Sequence, residues 1–367
     1  AVRIIMSLEL KGPGKARRRW LAKMVGSAMW GGSALVFGAE ATQVMGVGAS
    51  FPALVYRRWA AQYGSRSGAS VSYRSTGSGD GVQQISRRAA DFGGTDVPLL
   101  PDELARRQLV QVPMLVGGIV PVFHLPELEG RALRLTGPLL ADMMMARIHR
   151  WDDAAIAALN PGLKLPARRM ERIVRSDHSG TTEGFSRYLA AGSPAFADMV
   201  GQGVMPRWPG EPLRAQGNDG VAALVRANAG SLGYVSLDRA LDERLTMPSL
   251  RNRDGQWVVA TEAALREAIL NSDLHRAEQD TASLLDRPGP GTWPLTMASF
   301  VLVDAQPADS ARCAPTLRFL YWCFMHGDEL TRGTGFAPLP AHVQARLANR
   351  FAAVLPRTGG RPVYQLL

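Results

Sequence analysis

Apolar and polar positions along the chain switch between a helical and a strand-like period several times. Residues Thr42 to Val47 form a short apolar lead into Gly48, and PALVYRRWAAQYGSRSG then reads as a helix with Pro in its first turn, closing at Gly64. Next, ASVSYRSTG alternates as a strand, GDGVQQISRRAA has a helical period, and DFGGTD reads as a strand end breaking into a loop. The segment QVPMLVGGIVPVFHL is a pair of buried apolar runs split by Gly117-Gly118, as expected of a crossover between lobes. Helices are predicted at LLADMMMARI, WDDAAIAALN, TTEGFSRYLA, DGVAALVRANA and TEAALREAILNS. The stretch SLLDRPGPGTWPLTMASFVLV places a Pro/Gly-rich loop before a buried strand, a candidate return crossover. Strands alternating with helices predict an α/β fold whose sheet is largely parallel. Met143, Met144 and Met145 read as core filling.

Composition narrows the class. A chain of 367 residues with 46% apolar residues can bury a substantial core and suits two domains. It holds no run of 18 apolar residues, and its two cysteines exclude a disulfide scaffold or a four-thiolate zinc site. The net charge of +10 first suggests a polyanionic partner. Seven basic and two acidic residues lie within the first 41 positions, however, leaving 35 against 30, or +5, in the remainder. That first segment runs from basic (KGPGKARRRWLAK) to weakly apolar (MVGSAMWGGSALVFGA) to Ala39-Glu40-Ala41, the order of a cleavable export signal with Thr42 as the mature start. Arg17-Arg18-Arg19-Trp20-Leu21 is similar to a twin-arginine signal, and no Cys follows to carry a lipid anchor. The remaining Arg residues are scattered among acids without interleaved aromatics, so no nucleic-acid partner is expected. PTLRFLYWCF reads as helix between Cys313 and Cys323, about 15 Å of rise, which favours two separate, partly buried thiols.

Three segments share small residues, hydroxyls and glycines just ahead of a predicted helix: Gly48-Ala49-Ser50-Phe51-Pro52, Gly77-Ser78-Gly79-Asp80-Gly81 and Ser176-Asp177-His178-Ser179-Gly180-Thr181. Helix N-termini offer unpaired N–H donors, hydroxyls add more, and glycine admits a ligand to the backbone. Each could equally be a plain helix cap; together they would make an oxyanion site. Arg175 could supply a fork of donors to a tetrahedral anion, with Asp177 holding that fork in place. Asp96, closing DFGGTD, is a carboxylate that a protonated oxyanion can satisfy and fully ionised sulfate cannot.

These residues carry a resemblance. GVGASFPALVYRRWAAQY, TGSGDGVQQI, ADFGGTDVPL, VPMLVGGIVPVFHLP, RWDDAAIAALNPGLKLP, VRSDHSGTTEGFSRYL, GNDGVAALV, GSLGYV, WPLTMASFVLV and the closing GGRPVY occur in one order from about Gly46 to Tyr364. The chain thereby resembles the periplasmic phosphate-binding proteins of phosphate ABC transporters, the PstS family. The resemblance implies phosphate contacts at Ser50 and Phe51 (hydroxyl and backbone N–H), Ser78, Asp96, Arg175, Ser179, Gly180 and Thr181, with Asp177 orienting the arginine. Two departures stand out: Asp80 and His178 occupy positions that are usually Gly in the family. Asp80 is expected to face solvent and cap its helix, and His178 to be an exposed loop residue or, alternatively, a protonatable rim donor.

The fold implied is a two-lobed periplasmic binding protein of type II-like architecture, mixed but mostly parallel, with hinge crossovers. One lobe is expected over 42–112 plus 292–367 and the other over 113–291, with phosphate enclosed by hinge closure. The implied function is capture of inorganic phosphate in the periplasm and delivery to a membrane ABC permease by a monomer without cofactor, metal or catalysis. Two alternatives remain open: a phosphatase with Ser50 or Ser179 as nucleophile and His178 as base, and a binder of sulfate or another oxyanion.

Overall fold

The computed structural model describes residues 43–354 except 278, and the pairs 357–358 and 361–362. The expected export signal at 1–41 and the GGRPVY end lie wholly or partly outside the described residues. Fourteen strands lie among the described residues, in chain order β1 (Gln43–Gly48), β2 (Ser70–Ser75), β3 (Phe92–Thr95), β4 (Leu109–Phe123), β5 (Arg134–Leu135), β6 (Glu171–Arg175), β7 (Leu213–Ala215), β8 (Ser231–Ser236), β9 (Ser249–Arg251), β10 (Trp257–Val258), β11 (Thr296–Asp304), β12 (Phe336–Ala337), β13 (Arg357–Thr358) and β14 (Arg361–Pro362), the last two paired with each other. The main sheet has the order β2-β1-β3-β11-β4-β8-β6-β7, with β12 also on β4, while β10-β9-β5 form a small second sheet. β1 is parallel to β2 and β3, and β6 is parallel to β7 and β8, whereas β4 and β11 run antiparallel to their neighbours. The result is a two-lobed α/β fold.

The long strand β4 joins the two lobes. All 15 of its residues are buried. Leu109–Gly118 pair with β11, and Ile119–Phe123 pair with β8. The two apolar runs expected here are therefore one continuous strand, and Gly117-Gly118 is not a break. A Cβ on Gly117 would fall 2.5 Å from the Phe336 ring and 2.7 Å from the Phe51 ring, so glycine is needed for close approach of aromatics. β11 provides the return connection. Its register against β4 shifts between Ser299 and Phe300, opposite Leu115 and Pro113. Pro113 has no N–H to give the ladder, and Met114 is the extra residue, on the β4 side of this irregularity.

The helix after β1 spans Ala53–Ser67, and its buried face is Ala53, Val55, Tyr56, Trp59, Ala60 and Tyr63. It continues past the expected stop at Gly64. The terminating residue is Gly68, at φ 72°, whose N–H donates to the Gly64 carbonyl at 2.9 Å. A left-handed C-terminal residue is the position that favours glycine, and Gly64 lacks that conformation. Met143, Met144 and Met145 are buried in the core, as expected. Cys313 and Cys323 form no disulfide and share the helix Ser310–His326, which runs through Pro315; Cys323 is fully rather than partly buried. Among the described residues no helix is long and apolar enough to cross a membrane.

Candidate functional site

All three hydroxyl- and glycine-rich segments sit where strands end and helices begin, at the carboxyl edges of β1, β2 and β6. This is where α/β folds place ligands, because the helix N-termini there converge. Ser50 follows β1; Ser78 opens the helix Ser78–Ser86; Asp96 follows β3; Arg175 ends β6; and Ser179 caps the helix Gly180–Gly192, accepting from Thr182 N at 3.1 Å. Ser50, Ser78, Asp96, Arg175, Ser179 and Thr181 are all buried, none more than 6% exposed. Phe51 is buried as well, its ring edge-on to Phe336 at 5.1 Å between centroids. Its side chain thus belongs to the core, leaving only its backbone to face a ligand.

Segments far apart in sequence meet at these residues. Gly79 N donates to the His178 carbonyl at 3.1 Å. A Cβ on Gly180 would lie 2.6 Å from both Asp96 Cβ and Ser78 Oγ, so the helix start after β6 touches the segments after β2 and β3 through a bare Cα. Ser78 Oγ accepts from Asp96 N at 3.2 Å and donates to Asp96 Oδ2 at 3.3 Å.

Two carboxylates flank one arginine and behave oppositely. Arg175 Nε donates to Asp177 Oδ1 at 2.7 Å, its Nη2 pairs with Asp177 Oδ2, and Gly217 N adds a bond to Oδ1 at 3.0 Å. Burial works to raise the Asp177 pKa, but the hydrogen bonds and charge of Arg175, with Gly217 N–H, outweigh it and hold the carboxyl below its ordinary range. Nη1 of Arg175 is buried without a hydrogen-bond partner among the described residues. A guanidinium locked on two of its nitrogens therefore keeps a charged donor available. Asp96 is different. Burial pushes its pKa up to about 7 against the Ser299 and Ser78 hydrogen bonds and the Arg175 charge, and Glu183 pushes it further up. Its Oδ1 accepts from Ser299 Oγ at 2.7 Å. One carboxyl is thus a fixed anion, and the other gains or loses a proton near neutrality.

The structure brings in residues that the sequence pattern did not single out. Ser299 reaches Asp96 from β11, next to the register shift against β4, and its only sequence signal is a hydroxyl within an apolar strand. Asn218, at the start of the helix Gly217–Ala227, donates to Ser50 and Thr181; Gly-Asn-Asp-Gly has the same small, polar composition as the three segments that were noticed. Tyr234 accepts from Arg175 N at 3.4 Å and shares a bond with Thr182. Glu183 pairs with Arg187. Asp80 is half-buried and does not cap its helix. Gly77 holds the cap position, and Asp80 Oδ1 accepts from Gln84 Nε2 at 3.2 Å, one turn along. His178 is exposed, and it is its carbonyl that accepts from Gly79 N–H. No group of three or more His, Cys, Asp or Glu able to hold a metal occurs among the described residues.

Known proteins share this arrangement of elements. Residues 37–323 match the family model described as a PBP superfamily domain. The chain is 38% identical to the phosphate-binding protein PstS of Xylella fastidiosa (strain Temecula1) over 86% of each chain. It is 37% identical to PstS of Haemophilus influenzae, covering 86% of this chain and 95% of that one. Among solved structures, the phosphate binding protein from Stenotrophomonas maltophilia superposes with a TM-score of 0.64 at 20% identity, covering 89% of this chain and all of the other. A high affinity periplasmic phosphate-binding protein bound with phosphate gives 0.67 at 19% identity, over 86% of this chain and all of the other. With its paired lobes, its arginine fixed by one aspartate and opposed by another, and near-full-length relatives above one third identity, this chain belongs to the PstS family of phosphate-binding proteins.

Proposed function

We propose that the protein captures inorganic phosphate in the periplasm between its two lobes and delivers it, as a monomer, to a membrane ABC permease. The observation that carries this reading is the pairing of a buried, oriented Arg175 with a buried, proton-exchanging Asp96, surrounded by neutral donors. Arg175 and Asp177 cancel in charge, so the anion is held mainly by hydrogen bonds. Hydroxyls of Ser50, Ser78, Ser179 and Thr181, with backbone N–H groups of Phe51 and Gly180, surround the phosphate oxygens. Arg175 Nη1 supplies the charged donor, and Asp96 accepts the phosphate proton. Sulfate brings no proton at neutral pH and would set a bare anion against the Asp96 carboxylate.

Donors come from both lobes. Ser50, Phe51, Ser78 and Asp96 belong to a lobe we place at 42–112 and 292–367, and Arg175, Ser179, Gly180 and Thr181 to one at 113–291. Closing the cleft completes the set, which couples occupancy to shape, with β4 and β11 as the hinge strands. The phosphatase reading is weaker. Ser50 bonds Asn218 and Ser179 caps its helix, and neither hydroxyl is hydrogen-bonded to His178.

Isothermal titration of the chain from Thr42 with phosphate, arsenate and sulfate tests the reading, beside incubation with a chromogenic phosphate ester. Phosphate binding without turnover and without comparable sulfate binding is expected. Sulfate bound as tightly as phosphate, or turnover abolished by Ser50→Ala or Ser179→Ala, would refute it.

A further inference from the structure

Asn218 is 1% exposed, and its backbone N–H and side chain make four hydrogen bonds to three residues. Its Oδ1 accepts from Ser236 N at 3.1 Å. A backbone N–H can only donate, so the atom facing Ser236 is the amide oxygen, and the opposite end of the amide is the NH2. That Nδ2 donates to Ser50 Oγ at 3.0 Å and to Thr181 Oγ1 at 3.5 Å. The backbone N of Asn218 donates to the same Ser50 Oγ at 3.3 Å. A hydroxyl has two acceptor lone pairs and one hydrogen. With both acceptor positions of Ser50 filled from one residue, its hydrogen has to point elsewhere.

We infer that Asn218 is a positioning residue of the anion site: it turns the hydroxyl of Ser50 into an obligatory donor, fills one acceptor position of Thr181, and does so only when the lobes are closed. This rests on the phosphate reading, since an anion that accepts on every side is the ligand that benefits from hydroxyls committed to donating. The geometry also explains the closure requirement. Ser50 belongs to the β1 end and Asn218 to the opposite lobe, so the link forms as the cleft shuts. Gly217, at φ 69°, turns the chain so that its own N–H serves Asp177 while the next one serves Ser50. Ser236 stands opposite Ile119, where β4 changes partners, which ties the amide to the strand that crosses between lobes.

The test is phosphate titration of the parent chain, Asn218→Ala, Asn218→Asp, Ser50→Ala and the Asn218→Ala/Ser50→Ala pair, with urea unfolding of each. Asn218→Asp is a near-isosteric variant that can still accept from Ser236 N–H, and a carboxylate is favourable in the first turn of a helix. It reverses only the donor, so Ser50 turns its hydrogen toward the new carboxylate. Asn218→Ala is expected to weaken phosphate binding about tenfold or more, and Asn218→Asp about a hundredfold, each with a cooperative unfolding transition. In the Ser50→Ala background, Asn218→Ala should cost less than half as many decades of affinity as it does alone. Losses that simply multiply, or affinity within twofold of the parent in Asn218→Asp, would overturn the inference while leaving phosphate binding in place. A parent chain that does not bind phosphate removes the phosphate reading and this inference with it.

Discussion

Replacing Asp96 with Asn isolates the proton-exchanging half of the site. Burial raises this carboxyl from an ordinary 3.8 to about 7, so the folded chain holds the proton more tightly than the unfolded chain does. Between about pH 4 and 7 the folded state therefore binds up to one proton more. Stability contributed by this group is greatest below pH 4 and falls as pH rises, reaching its full cost above about pH 7. Three units at 1.36 kcal/mol each give an upper bound of about 4 kcal/mol. Asn has nearly the same shape, and Ser78 and Ser299 can each accept as well as donate, so the neutral amide is accommodated. Urea unfolding of parent and Asp96→Asn from pH 4 to 8, without added anion, measures the difference. Asp238, buried and likewise raised to about 7, titrates in both chains and cancels. The variant should gain on the parent steadily with pH, by up to a few kcal/mol, and should also acquire sulfate binding. A parent-to-variant difference that is flat across this range would refute the assignment of Asp96 as the buried titrating group.

Three further outcomes follow from the same geometry. Gly180→Ala places a methyl 2.6 Å from Asp96 Cβ and Ser78 Oγ, so phosphate affinity should fall at least tenfold and small-angle scattering should report a more open molecule. Asp177→Ala leaves the buried Arg175 without its partner and should cost about 3 kcal/mol or more of stability by urea unfolding; the carboxylate's own contribution is present above pH 4 and lost as pH falls through its depressed pKa. His178→Gly, by contrast, keeps the carbonyl that Gly79 N–H uses and removes only an exposed ring. Titration at pH 5.5 and 8 should find its affinity within about twofold of the parent, with an unchanged pH dependence.

Much of this was legible along the chain because it depends on local chemistry. The helix starts after β1, β2 and β6 are signalled by Pro, Gly and hydroxyl residues in fixed order, since orphan N–H groups need the same partners wherever a helix begins. Arg175 and Asp177 sit two residues apart on one strand end, so their bidentate pairing is nearly dictated by spacing. Where local signals competed, the pattern misled. Two glycines at 64 and 68 can each end a helix, and only the packing of Gly64 as ordinary helix decides for Gly68. Gly117-Gly118 looks like a break, yet rings arriving from Phe51 and Phe336, 66 and 219 residues from Gly117, explain it.

What the tertiary structure alone decided is everything that needs two distant segments at once. Ser299 joins Asp96 across 203 positions, and Asn218 joins Ser50 across 168. The raised pKa of Asp96 comes from burial, and burial exists only once distant segments pack around it. Residue types along the chain were sufficient to point to the hydroxyls, the arginine and the two aspartates that the fold gathers in one place. Their proton states, directions and mutual distances depend on excluded water and on contacts between strands far apart in sequence, and those are properties of the folded chain.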